Sequence, residues 1–367
     1  MTRLFSESVT GLVAYGNGAF IFARKELIME AYDKPFLTYD EQIDCLIEKH
    51  GLDVSDRDFA RRVLRSVSYY DLINGYKDAF MVNEKYGEHM SIEFLYSFYI
   101  FDKRFQDLLF AQILLVENTF KTELAYVIAR DFGASIDEYL DYRNYRPGNG
   151  KSSFQAIKRN IYNGVSINNP SKAPQPSKHY LEHHNHLPPW ILFKNVSFSN
   201  IINLGRLLKP KQKEYILESL LPNVDLSITD RVNFLINGLN LMRKCRNQIA
   251  HTLKFLSFHE DRNRLSASIL TKILPPCLVT WRDIKKGKRG LYDLDAVLNL
   301  SLYFVSNYNP HITRKFCDDL RSLFTPKDNS RNEVMKKALF DSYAHAANLP
   351  MSLPDRLEVF HDCLRDK

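Results

Sequence analysis

The chain lacks any apolar run close to the ~18 residues that a membrane-crossing helix requires, which argues against an integral membrane protein. Near its start, Leu12-Val13-Ala14-Tyr15 is cut short by Gly16-Asn17-Gly18, so no secretory apolar segment forms and a soluble, cytoplasmic protein is expected. Cysteine is scarce. The five present (Cys45, Cys245, Cys277, Cys317 and Cys363) are odd in number, scattered and never spaced C-x-x-C. That pattern argues against a disulfide framework or a zinc ribbon and reads as reduced, mostly buried thiols. There is no G-x-S-x-G nucleophile elbow and no cysteine in a papain-like setting. Gly148-Asn149-Gly150-Lys151-Ser152 ends like a phosphate-binding loop, but Tyr145 stands where the first glycine belongs and no buried strand leads into it. Strand-like alternation is rare, and no internal repeat is evident.

Helical periodicity is what the chain has in abundance. From Ile92 to Arg130 no Gly or Pro occurs, and Phe94, Phe98, Phe101, Phe105, Leu108, Leu109, Ile113, Val116, Phe120, Leu124 and Val127 step mainly by three or four. This predicts one long helix, or two with a small offset. Tyr39 to His50 predicts a shorter helix with Thr38 as N-cap and Gly51 as its stop, and Ser55 or Asp56 is placed to cap another through Arg65. Between Asp141 and Pro189, Gly and Pro breakers mark an insertion with one short helix near Ser153–Tyr162. Helical pattern resumes over Trp190–Leu208, Lys211–Leu220, Thr229–Leu256 and about Leu291–Leu323, before a polar tail. At 367 residues the chain can bury a large core. The expected organisation is an N-terminal helical lobe (1–90), a helical domain (91–260) with a loop-rich insertion at about 141–189, and a C-terminal helical extension (261–367).

The net charge is +7, from 50 basic and 43 acidic side chains, a modest excess that matters because it is clustered. One cluster is Arg206…Lys209-Pro210-Lys211-Gln212-Lys213; the others are Arg243-Lys244…Arg246 and Arg282…Lys285-Lys286-Gly287-Lys288-Arg289. Solvated helix faces would account for each alone; together they suit an anionic partner such as RNA. Arg243, Lys244, Lys285, Lys286, Lys288 and Arg289 are the candidate RNA-binding residues.

The most informative hexad is Arg246-Asn247-Gln248-Ile249-Ala250-His251. A histidine can move the proton of a ribose 2′-hydroxyl, and an arginine can stabilise the extra charge on the phosphate under attack. Arg356…His361 has the same spacing, but an apolar residue follows its arginine and it lies near the last residue, so it is read as a decoy. At about 100° per residue, Leu235, Leu239, Met242, Cys245, Ile249 and Leu253 fall in one apolar sector. Asn240, Lys244, Asn247, Gln248 and His251 fall opposite, while Arg246 projects toward the apolar side and needs a partner there. Glu117 is the candidate. Arg246 and His251 diverge by about 140° on an ideal helix. Either the helix distorts, or a two-fold dimer completes the site, and the dimer is favoured.

The hexad has the form of the metal-independent ribonuclease site of HEPN domains, and a longer ordered set of motifs resembles the abortive-infection (Abi) proteins of the AbiD/AbiF type. Lys34-Pro35-Phe36-Leu37-Thr38 with Glu41-Gln42 resembles the family's opening. Ser68-Tyr69-Tyr70-Asp71-Leu72 with Gly75-Tyr76 and Phe80, then Phe101-Asp102-Lys103 and Glu117…Lys121, resemble its next blocks. His179-Tyr180, Leu187-Pro188-Pro189-Trp190-Ile191-Leu192 and Ser197-Phe198 follow, and Leu239-Asn240…Arg243…Arg246-Asn247…Ala250-His251 resembles its signature. The resemblance spans most of the first 260 residues. It implies an all-α fold, a HEPN-type helical bundle, and a homodimeric endoribonuclease active in phage defence. Arg246 and His251 would be catalytic, with Asn247 in support, no cofactor and no metal. It also implies RNA as substrate and a small noncoding RNA as a further partner. Where many relatives carry a second histidine and an Arg-Leu-Trp-Asn-like string, this chain has Thr252-Leu253-Lys254-Phe255. About 262–367 has no counterpart in the resemblance.

Two other readings compete. His179-Tyr180-Leu181-Glu182-His183 fits the H-x-x-E-H form of a zinc hydrolase, though it sits between Pro176 and Pro188-Pro189 with no obvious third ligand. Alternatively, the chain is a non-catalytic RNA-binding protein whose Arg246 is structural.

Overall fold

The computed structural model describes residues 9–15, 19–25, 35–146, 150–251, 255–325 and 331–365. The fold is all-α apart from two short strand pairs, and its contacts divide it into two units, Met1–Ile92 and Glu93–Lys367.

The first unit opens on an antiparallel pair, β1 (Val9–Tyr15) with β2 (Ala19–Lys25), Val9 facing Lys25 and Tyr15 facing Ala19. The helical lobe expected here did not include it. Its signal is two runs rich in β-branched and aromatic residues on either side of Gly16-Asn17-Gly18. Helix α1 (Tyr39–Asp44) starts where Thr38 predicts: the Thr38 hydroxyl accepts the Glu41 N–H at 3.3 Å, and the Glu41 carboxylate accepts the Thr38 N–H at 2.8 Å. The helix widens into a π-helical turn over Cys45–Lys49 and ends at Gly51, whose φ of +67° suits a residue without Cβ. Asp56 caps α2 (Arg57–Ser66) by accepting the Phe59 N–H at 2.8 Å. A second π-helical turn (Tyr70–Asn74), α3 (Gly75–Phe80) and the hairpin β3 (Met81–Val82) with β4 (Lys85–Tyr86) follow.

The second unit is organised by one unbroken helix, α4 (Ile92–Phe132). Along its inner seam Phe98, Phe101, Phe105, Leu109, Ile113, Val116, Phe120 and Leu124 are all buried. Removing each such side chain from water contributes roughly 1.5–3 kcal/mol. After α5 (Ile136–Tyr139), the insertion is more ordered than its breakers suggest, because the apolar residues between them find the core. It holds α6 (Gly150–Val165), which buries Phe154 and Ile161, and α7 (Ser177–His183). The single helix expected over Trp190–Leu208 is two, α8 (Pro189–Asn195) and α9 (Phe198–Leu207). Ser197 stops the first and caps the second, its hydroxyl accepting the Asn200 N–H at 3.4 Å. On α9, Gly205 lies against α4 so closely that an added Cβ would meet the Phe120 ring at 3.0 Å. The next helices are α10 (Pro210–Leu220) and α11 (Ile228–Ala250), the latter carrying the hexad.

The C-terminal region supplies α12 (Ala267–Ile273), α13 (Trp281–Lys285), α14 (Leu294–Tyr308) and α15 (Pro310–Phe324). The expected Leu291–Leu323 segment breaks between the last two, where Pro310 opens α15 and Asn309 caps it. The tail is not irregular: it forms α16 (Arg331–Ala346) and α17 (Leu353–Cys363). Tyr343 of α16 is fully buried, its ring centroid 5.0 Å from Phe101 and 5.4 Å from Phe105. Its hydroxyl donates to Asp102 Oδ1 at 2.7 Å, while Gln106 donates to Asp102 Oδ2 at 2.7 Å. Phe324 of α15 adds a ring 5.8 Å from Phe105. The last third of the chain therefore closes the core of the long helix. Among the described residues no helix is long and apolar enough to cross a membrane.

One core position carries a conflict. Asp295 and Asn299, one turn apart on α14, are buried, and no side-chain oxygen or nitrogen of either has a hydrogen-bond partner among the described residues. Burial, reinforced by nearby Asp293, pushes the Asp295 carboxyl up to about 8. An acid whose folded pKa is raised binds its proton more tightly when folded, so stability falls as pH rises from about 4 toward about 8. Asp295→Leu is expected to stabilise the protein by ~1–3 kcal/mol at pH 8 and by less at pH 5. Thermal unfolding at the two pH values checks this; an equal or negative shift at both would refute it.

Candidate functional site

Helix α11 begins at Ser227, whose hydroxyl accepts the Asp230 N–H at 3.1 Å. Its apolar sector is seated as the angles predict: Leu235, Leu239, Met242 and Cys245 are buried, and Ile249 is half-buried. Burial pushes the Cys245 thiol well above its usual range. Asn240 departs from expectation, because it is buried and its amide turns back to the Ile236 carbonyl at 3.0 Å. The helix also ends six residues earlier than the periodicity indicates. His251 is its C-cap and exposed, donating its N–H to the Asn247 carbonyl at 3.0 Å. Beyond it Phe255 is drawn into the core, with its ring 6.2 Å from Phe105, and the Phe258 N–H bonds to the Phe255 carbonyl. Burying Phe255 and Phe258 takes precedence over continuing the helix. Leu253, placed in the apolar sector, and the rest of Thr252-Leu253-Lys254 lie outside the described residues.

Arg246 meets the partner expected of it. Its Nη2 donates to Glu117 Oε2 at 2.9 Å, and the other Glu117 oxygen pairs with Lys121 one turn along α4 at 3.0 Å. Glu117 is buried, while the Arg246 side chain keeps about a quarter of its surface exposed. One edge of the guanidinium is thus fixed to a carboxylate set in the wall. Its Nε is buried without a partner among the described residues. Removing Glu117 would strand two cations, so Glu117→Ala is expected to cost about 3–5 kcal/mol. Glu117→Gln keeps a hydrogen-bond acceptor of the same shape. If Arg246 acts at a phosphate, this milder change should slow that chemistry by about 10²-fold with the fold retained. Single-turnover kinetics beside a melting curve separate the two effects, and an unchanged rate in a folded Glu117→Gln protein would remove Arg246 from the reaction.

The remaining candidates are unevenly available. Asn247 and Gln248 are half-buried on the last turn. Arg243, one turn before Arg246, reaches Asn240 only at 3.4 Å; burial and repulsion from Arg246 lower its pKa, and Glu260 partly opposes them. Lys244 is exposed and 3.8 Å from Glu260, a partner that no sequence spacing announced. The 285–289 cluster divides. Lys285 lies over the Trp281 ring, and Lys286 caps the end of α13. Lys288 adopts φ +49°. Arg289 is committed elsewhere, donating to buried Asp283 at 3.0 and 3.3 Å. From Arg246 to Ala250 the helix is undistorted, so the two side chains still diverge by ~140° as far as the cap residue.

The look-alike pair resolves differently. Arg356 places both terminal nitrogens on buried Asp283, at 2.9 and 3.0 Å, and His361 sits beside Asp362 and Asp318. That arginine is a structural clamp. The rings of His179 and His183 on α7 meet at 4.9 Å, tilted by 52°, and His184 meets Tyr180 at 4.4 Å, tilted by 30°. Among the described residues no three His, Cys, Asp or Glu side chains group as metal ligands. Of the five cysteines, all unpaired, Cys245 and Cys317 are buried and Cys363 is exposed.

Residues 62–257, just over half of the chain, match the family model of the Abi-like proteins. The chain is an Abi-like protein. The matched stretch carries Glu117, Lys121 and the whole hexad, whereas the C-terminal helices of this Abi-like protein lie beyond it. No curated protein matches the chain, and no solved structure matches it.

Proposed function

We propose that this Abi-like protein serves abortive infection as a metal-independent endoribonuclease of the HEPN type, within the AbiD/AbiF group. The observation that carries the reading is the pairing of a guanidinium anchored on buried Glu117 with an exposed imidazole five residues later at the helix end. In the proposed step His251 takes the proton of a ribose 2′-hydroxyl. The oxygen attacks the adjacent phosphorus, and the P–O5′ bond breaks as the leaving oxygen gains a proton. Arg246 holds the charge of the five-coordinate phosphate, and Asn247 orients the phosphate or the imidazole. Products are a 2′,3′-cyclic phosphate and a 5′-hydroxyl. Because Arg246 and His251 diverge on one helix, we assign the working site to two copies of α11 brought together by a two-fold axis. Arg243, Lys244, Lys285, Lys286 and Lys288 would hold the RNA backbone, including that of a small noncoding RNA partner.

A DNA strand carrying one ribose tests the reaction. The protein should cut it at that ribose in EDTA, leave the cyclic end, and spare the all-deoxy strand. Cleavage that EDTA stops and magnesium restores would overturn the reading.

A further inference from the structure

Away from the hexad lies a group of cations, Arg146, Arg206 and Lys213, for which no carboxylate partner occurs among the described residues. Lys213, in the second turn of α10, is more than nine-tenths buried, an unusual place for an ammonium. Its stem lines a small apolar hollow with Phe120, Gly205, Ile216 and Leu235. Its charged end lies within electrostatic reach of Arg146 and Arg206, both exposed, and burial together with these two pulls its pKa down to about 8. No carboxylate pairs with Arg146, Arg206 or Lys213 among the described residues. Asp131 pairs with Arg130 and Gln212, Asp141 with Arg143, and Glu123 with Ser219.

The backbone holds this arrangement in place. The Arg146 N–H donates to the Leu207 carbonyl at 2.9 Å, at the corner between α9 and α10. Lys209 Nζ donates to the Arg143 carbonyl at 3.0 Å, tying the same two segments a second time. Three positive groups are therefore brought together at a corner that the fold fixes, and the uncapped first turn of α10 adds the positive end of its dipole. A solvated surface would spread such charges apart. A lysine with a buried stem whose charge feels two arginines is disfavoured by their repulsion, and an anion would relieve it.

We propose that Arg146, Arg206 and Lys213 form a binding site for a phosphate group, separate from the hexad on α11. Two arginines can offer planar forks and Lys213 a point charge, a donor set suited to a phosphate. Assigning that phosphate to RNA rests on the ribonuclease reading; the site itself does not.

Two measurements decide it. Inorganic phosphate and pyrophosphate are titrated against thermal unfolding of the full chain, and a labelled single-stranded oligoribonucleotide is titrated at several salt concentrations. Wild type should be stabilised by the phosphates, and Lys213→Met and Arg206→Gln should not be. Lys213→Met removes a buried charge while keeping its apolar stem, so it should melt no lower than wild type without ligand. With RNA as the source, each variant should lose affinity and flatten the salt slope by about 0.7. If phosphate protection is lost while RNA binding is unchanged, the site stands with a free phosphate or nucleotide as its ligand. If wild type gains nothing from phosphate and the variants bind RNA with wild-type slope, the site does not exist. His251→Ala should leave both readouts unaltered, so a failure of the catalytic proposal is distinguishable from a failure of this one.

Discussion

His251→Ala is expected to lower RNA scission by roughly 10²–10⁴-fold, the range spanned by a positioned general acid or base, while RNA affinity stays near wild type. The imidazole lies at the exposed end of α11 and packs into no core, so its loss should not destabilise the fold. Arg246→Ala should also abolish cleavage, but it removes the partner of Glu117 and should melt lower. Mixing the two inactive proteins gives a sharper result. In a two-fold site built from both copies of α11, some mixed dimers keep one intact Arg246 and one intact His251 facing each other, and activity should partly return. A folded His251→Ala protein that cuts RNA at the wild-type rate would end the assignment of His251 as the catalytic group, whereas wild-type protein that binds RNA without cutting it would be an RNA binder with a structural arginine.

A stability effect as large as that at Glu117 is expected at Asp283. This buried carboxylate accepts from Arg289 and from both terminal nitrogens of Arg356. It also accepts the Thr280 hydroxyl at 2.6 Å, so that one side chain joins α13 to α17. Those donors hold its pKa far below the usual carboxylate range despite burial. Asp283→Ala leaves two guanidiniums facing each other without a counter-charge and should cost about 3–5 kcal/mol. Arg356→Ala should approach that loss. His361→Ala, its neighbour in the second Arg-x4-His pair, should cost less than either, because its charged contacts are to exposed carboxylates. Urea unfolding of the three variants ranks them. Equal losses at Arg356 and His361 would contradict the clamp.

These two arginines show what the sequence discloses and what it withholds. Identical spacing gave no way to separate Arg246 from Arg356 except by neighbours, yet Arg246 keeps about a quarter of its side chain exposed while Arg356 has both terminal nitrogens on buried Asp283. The helix of 41 residues was legible because nothing along it breaks a period of three and four. Glu117 was legible as a partner because an arginine angled toward an apolar sector requires one. Glu260 and Asp283 were not, since Lys244 lies on a polar face that demands no partner and no local spacing pairs Asp283 with Arg356. The early end of α11 was hidden for the same reason. Its local pattern continues, and the burial of Phe255 against Phe105 of distant α4 competes with it. The helices of the tail were missed because polar residues outnumber the few aromatic ones, such as Tyr343 and Phe360, that anchor them.

The buried Tyr343–Asp102 bond makes the final hundred residues a lid for the long helix that bears Glu117. Shortening the gene to its family-matched stretch would leave Phe101 and Phe105 bare to solvent. A screen for clones that have lost the protein's effect should therefore recover frameshifts far downstream of the hexad as readily as changes within it.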